Sequence, residues 1–168
     1  DPLEFSIFEV RFPIATTKNM TQQSPSFPQP DSWWPHRVSY GETDAMSIVY
    51  YGNYLHWFEQ ARSHFVRERG MSYAEIEKRG VLLPVREAHC RYLASAAYEE
   101  EVLVRTGIGK WGRASLTFDY EVYNLSRDRQ LMTRGFTQHA CLSPQGKLVP
   151  VPDWLKTLCR QPGSSVNA

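Results

Sequence analysis

The sequence is short of cysteine, with three among 168 residues at Cys90, Cys141 and Cys159. No two stand in C-x-x-C spacing, which argues against a zinc site or disulfide framework and for a reducing, cytoplasmic setting. An excess of either charge is also missing. Nineteen Lys and Arg face eighteen Asp and Glu, a net of +1, whereas a general nucleic-acid binder carries a basic surplus. No apolar run approaches the roughly 18 residues that a bilayer span needs. The N-terminus lacks the basic start and continuous apolar stretch of a signal peptide. Histidine is sparse and not arranged for metal: His56 and His64 are too far apart on their helix for the i, i+4 pairing that zinc requires. No metal and no cofactor is expected, and the partners left are small molecules or proteins.

What is present is apolar and aromatic side chain, 42% and 13% of the chain, enough for one domain with its own core. Residues 1–36 differ from the rest. Their prolines, in a Ser/Gln-rich setting, block both helix interior and sheet ladder, so this segment reads as an irregular arm or an added extension, with Met20 as a candidate natural start. A domain over residues 37–160 and a flexible tail over 161–168 complete the organisation.

Within the domain, HRVSYGE (36–42) reads as a short strand. A polar turn at Thr43–Ser47 follows, then a helix from about Gly52 to Arg69, in which Tyr54, Phe58, Ala61 and Phe65 form one stripe of a 3.6-residue period. Ser72 and Glu75 form a capping box for a second, shorter helix that closes at Gly80. Beyond it the period becomes two. Ala88, Cys90, Tyr92 and Ala94 share a face. Val102, Val104, Thr106 and Ile108 form a second set, and Leu116, Phe118, Tyr120 and Val122 a third. Met132, Phe136, Ala140 and Leu142 form the fourth. These are long antiparallel strands, with turns expected at Ser95–Glu100, Gly109–Gly112, Ser126–Arg129 and Ser143–Gly146. PVPDWL begins a last helical turn. One long apolar helix and one large sheet make an α+β protein in which the sheet wraps the helix, and Asp44 then lies at the edge of the core.

The stretch YGETDAMSIVYYGNYLHWFEQAR resembles the signature of the 4-hydroxybenzoyl-CoA thioesterase family. It carries Glu42, Thr43, Asp44 and Ala45, then Val49, Tyr50, Asn53, Tyr54, Phe58 and Ala61–Arg62. GKWGRASLTFDYEVYN and PVPDWL are similar to the family as well, so the resemblance covers residues 37–160. It implies the hotdog fold, an antiparallel sheet around one central helix, and hydrolysis of an acyl-CoA or aroyl-CoA thioester. It implies dimers that associate into tetramers with active sites shared between subunits. Relatives carry glycine where this chain has Met46, which adds bulk at the acyl pocket.

The resemblance also distributes roles. Asp44 becomes the nucleophile or the general base, although as a residue type it is equally a turn or cap acceptor. The backbone N–H of Tyr51, at the positive end of the helix dipole, polarises the carbonyl. Tyr50 packs against the acyl group. Asn53 is read as a helix cap, with orientation of the Asp44 loop as the other reading. Glu59 faces either a second active site or solvent, and Glu42 is a possible carboxylate partner of Asp44. Lys110 and, as the better match, Arg113 are the candidates for the CoA phosphates, with Arg127, Arg129 and Arg134 nearby in sequence. His89 and His139 fall on polar-side strand positions, where a surface or interface role is the default. Two other readings remain: an acyl-thioester dehydratase, and a non-catalytic hotdog module that binds acyl groups or scaffolds a complex.

Overall fold

The computed structural model describes residues 27–164. Five strands form one antiparallel sheet: β1 (Asp31–Arg37), β2 (Val85–Tyr92), β3 (Glu101–Trp111), β4 (Ser115–Asn124) and β5 (Gln130–Ala140), in the order β1-β3-β4-β5-β2. Three helices accompany it: α1 (Asn53–Arg67), α2 (Tyr73–Lys78) and α3 (Asp153–Arg160). This is the expected α+β hotdog layout. Among the described residues no helix is long and apolar enough to cross a membrane.

Helix α1 buries Tyr54, Trp57, Phe58, Ala61, Phe65 and Val66, the stripe its periodicity marks. Phe58 stacks on Tyr120 of β4 with ring centroids 4.1 Å apart, and Phe65 meets Phe118 edge-on at 5.7 Å. The helix approaches the sheet this closely because β5 carries Gly135 beneath it. A Cβ there would stand 2.6 Å from Phe58 Cε2 and 2.3 Å from the His89 carbonyl oxygen. The capping box of α2 is formed, with Glu75 N–H donating to Ser72 Oγ at 3.2 Å and Ser72 N–H to Glu75 Oε2 at 2.7 Å.

Several details depart from the sequence expectations. The first strand lies at Asp31–Arg37 and not at 36–42, so the last residues assigned to the arm belong to the sheet. Pro35 fits because β1 is an edge strand, where a residue without an N–H leaves no inner ladder bond unmade. Residues Tyr40–Glu42 make a 3-10 turn instead. The turn placed at Gly109–Gly112 begins later, since β3 continues through a bulge to Trp111. In β5 the ladder slips beside Met132, with Val122 opposite Thr133 but Tyr123 opposite Leu131. The extra residue reverses the alternation, so Thr133, Thr137 and His139 join Met132 in the interior in place of Phe136 and Ala140.

His139 is therefore a correction too: it is fully buried. Its Nδ1 lies 2.8 Å from the Leu83 carbonyl oxygen, which can only accept, so the proton sits on Nδ1. Nε2 then accepts from Thr137 Oγ1 at 2.9 Å, and Thr137 in turn accepts from the Tyr120 hydroxyl at 2.8 Å. Burial holds the imidazole neutral and lowers its pKa to about 4. Finally, the terminal turn is a full helix, α3, which seats Leu155, Leu158 and Cys159 in the core. Met20 and residues 165–168 of the tail lie outside the described residues.

Candidate functional site

The chain leaves β1 at one end of the sheet and turns back toward α1 through the Asp44 segment. Thr43 and Val49 form an isolated antiparallel bridge, and Asp44 N–H donates to the Ile48 carbonyl at 2.9 Å. The intervening residues are thereby folded into a tight loop. Asp44 is half-buried, while Ala45, Met46 and Ser47 are exposed. Met46 N–H donates to Asp44 Oδ1 at 2.8 Å. The capping reading of Asp44 is thus realised within its own turn and not on the helix. No second hydrogen bond to the carboxylate forms among the described residues.

Glu42 fixes this loop to the helix by both its side chain and its backbone. Its carbonyl accepts from Tyr50 N–H at 2.9 Å and from Asn53 Nδ2 at 2.8 Å. Its carboxylate accepts from the Trp57 indole at 2.7 Å, from Ser39 N–H at 2.7 Å, and lies 2.9 Å from His36 Nε2. Burial would raise the Glu42 pKa, but the bonds from Trp57, Ser39 and His36 outweigh it and hold the group below its ordinary value. Glu42 is therefore an anchor and not a carboxylate partner of Asp44. Asn53 resolves the same way. Gly52 occupies the N-cap position without a side-chain cap, and the Asn53 amide orients the Asp44 loop, contrary to the capping reading.

Residues Tyr50–Asn53 form the turn that opens α1. Asn53 N–H donates to the Tyr50 carbonyl at 2.9 Å, and the amides of Tyr54 and Leu55 bond back to Tyr51 and Gly52. The Tyr51 and Gly52 N–H groups have no acceptor among the described residues. They are the free donors that a helix start leaves over, and the helix dipole adds positive potential there. The Tyr50 and Tyr51 rings lie 4.6 Å apart, both exposed, and Met46 is 70% exposed beside them in sequence. Tyr92, expected only on a strand face, reaches the same turn: its hydroxyl donates to the Tyr51 carbonyl at 2.9 Å. The signal for this contact is long-range and has no sequence pattern.

The other site candidates are not gathered here. Glu59 is exposed on α1. Lys110 and Arg113 lie at the far end of the sheet. The Asp44 loop follows Arg37, which pairs with Glu101 at the start of β3, while Lys110 is near the end of that strand. At ~3.4 Å per residue the Arg37–Glu101 end of the sheet, from which the Asp44 loop departs, and Lys110 lie about 30 Å apart along β3. Arg113 instead lines a shallow surface cavity of ≈ 260 Å³ with Ala114, Leu148, Val149 and Pro150. Arg127 and Arg134 are engaged with Glu100 and Glu121.

Comparison with known proteins gives one consistent picture. Residues 38–158 match the family model described as the thioesterase-like superfamily. YneP of Bacillus subtilis is 32% identical over 123 residues, covering 70% of this chain and 87% of that protein. The acyl-CoA thioesterase YbgC of Haemophilus influenzae is 28% identical over 119 residues, 70% of this chain and 85% of that one. Among solved structures, the DHNA-CoA thioesterase of Staphylococcus aureus is 34% identical with a TM-score of 0.67, covering 75% of this chain and 87% of that one.

Proposed function

This chain belongs to the thioesterase-like superfamily and is an acyl-CoA thioesterase by that membership, and we propose that Asp44 and the Tyr51 N–H carry its chemistry. The thioester carbonyl oxygen accepts from the Tyr51 N–H, where negative charge builds as the carbonyl carbon becomes tetrahedral. Asp44 either takes a proton from the attacking water or attacks the carbon itself, giving a mixed anhydride that a second step hydrolyses. In both routes a C–O bond forms, the C–S bond breaks, and CoA leaves as the thiolate and takes up a proton. The observation that supports this most is the Glu42 carbonyl, which bonds Tyr50 N–H and the Asn53 side chain at once. It ties the Asp44 loop to the turn whose free amides open the helix.

Tyr50 and Met46 supply the surface on which the acyl or aroyl group rests. The enzyme acts as a homodimer or homotetramer. Strand β2 supports this: it is an edge strand with exposed residues along most of its length, an unpaired ladder that a second copy can continue. The separation of Lys110 and Arg113 from Asp44 fits a site that takes its phosphate contacts from another subunit, and the exposure of Glu59 on α1 supports the reading that it faces such a shared site. Three free cysteines fit a cytoplasmic setting.

The test is thiol release from a panel of aliphatic and aromatic acyl-CoAs by the purified protein. Turnover of at least one member is expected. Tight binding of the panel with no release from any of it would replace the reading with that of an acyl-binding module.

A further inference from the structure

We infer that Tyr92 is a positioning residue for the reaction, holding the Gly52 N–H as a second donor to the thioester oxygen beside that of Tyr51; the inference rests on the active-site reading above. The Tyr51 carbonyl and the Gly52 N–H are two ends of one planar peptide unit. Fixing the carbonyl therefore fixes the direction of the N–H. The Tyr92 hydroxyl does so, donating to the Tyr51 oxygen at 2.9 Å from a strand 41 residues downstream, the shorter of two bonds there beside that of 3.4 Å from Tyr54 N–H. The preceding peptide is held by the helix itself, since its Tyr50 carbonyl accepts from Asn53 N–H at 2.9 Å. Both amides thus sit on peptides whose carbonyls are already engaged, and neither amide has an acceptor among the described residues. A hydrogen bond accepted at a peptide oxygen also polarises that peptide's own N–H and makes it a better donor.

The Tyr92 ring is itself located. It meets Tyr54 edge-on at 5.2 Å and Tyr51 at 6.4 Å, and Tyr54 is buried and pinned through its hydroxyl, which accepts from Ala96 N–H at 3.1 Å. On the opposite side, Gly52 has no side chain where a Cβ would come within 2.8 Å of Tyr50 Cε1. The Tyr50 ring thus lies close over Gly52, while the hydrogen bond from the Tyr92 hydroxyl is what fixes its peptide. Burial weakens the acidity of the Tyr92 phenol, which keeps it a neutral donor over the working pH range.

Tyr92→Phe removes only the hydroxyl. Measured on the best substrate of the panel, it is expected to lower kcat about ten-fold, less than the loss of a whole oxyanion donor. KM should stay within about two-fold, as for an interaction made mainly in the transition state, with the melting temperature almost unchanged. Asp44→Asn is measured in parallel. If it abolishes turnover while Tyr92→Phe keeps the wild-type kcat, the positioning role is overturned and the active-site reading stands. A fall in kcat that only follows a fall in melting temperature, and disappears when assayed well below it, also overturns the role. A wild-type protein that releases no thiol from any substrate overturns both.

Discussion

The Trp57 indole N–H donates to Glu42 Oε1 at 2.7 Å, joining the second turn of helix α1 to the segment that carries Asp44 two residues later. Trp57→Phe removes the donor and also leaves a cavity where the larger indole is fully buried. It should cost at least about 1–3 kcal/mol in chemical denaturation, the usual range when a partly buried carboxylate loses a partner, with the cavity adding to it. It should also lower kcat, because the Asp44 loop is then less firmly held. Glu42, held below its ordinary pKa in the folded state, lends stability that is present above its unfolded value and lost as the pH falls through the folded one. Trp57→Phe should reduce that dependence.

His139 sets a second pH dependence with a different window. The unfolded imidazole takes a proton near 6.5, the folded one only near 4. Stability from this group is therefore complete above pH 6.5 and drains as the pH falls toward 4, by about 3 kcal/mol in all. Urea midpoints at several pH values should show a steeper acid loss in the wild type than in His139→Gln, which cannot titrate. Parallel curves for the two proteins would rule this out.

Much of this was legible beforehand. The stripe Tyr54–Phe58–Ala61–Phe65 gave the helix its face, and the capping box at Ser72 formed as written. The segment around Asp44 stands out through its resemblance to the family signature, a string of residues close together in the chain. The burial of His139 is not legible in the sequence, because one extra residue in β5 reverses the alternation and no local pattern marks such a slip. The true bounds of β1 are hidden by Pro35, which argues against a strand unless that strand is known to be an edge. Tyr92 and the distance of Lys110 from Asp44 depend on strand order, which comes from packing between remote segments.

Gly52→Ala tests the close contact beneath Tyr50. The new Cβ would meet the Tyr50 ring edge at 2.8 Å, and the ring is exposed enough to swing away. Stability should change by no more than about 0.5 kcal/mol. KM should rise, as the surface offered to the acyl group shifts. An unchanged KM would remove Tyr50 from the acyl site.

Lys110→Ala and Arg113→Ala each test the phosphate contacts. Each should raise KM about ten-fold with kcat unchanged, the effect of one charge-assisted bond. Because these residues lie far from Asp44 in one chain, mixing the Lys110→Ala/Arg113→Ala protein with Asp44→Asn under subunit exchange should recover activity at low substrate. Absence of recovery in exchanged oligomers would place the phosphates elsewhere.

The most direct measurement is kcat/KM for Asp44→Asn against wild type, in thiol release from the best acyl-CoA, with the melting temperature of both proteins recorded. Asparagine still accepts the Met46 N–H, so the loop is retained while the base or nucleophile is lost. A fall of about 10³-fold at unchanged melting temperature is predicted; a kcat/KM equal to that of the wild type would contradict the assignment of the chemistry to Asp44.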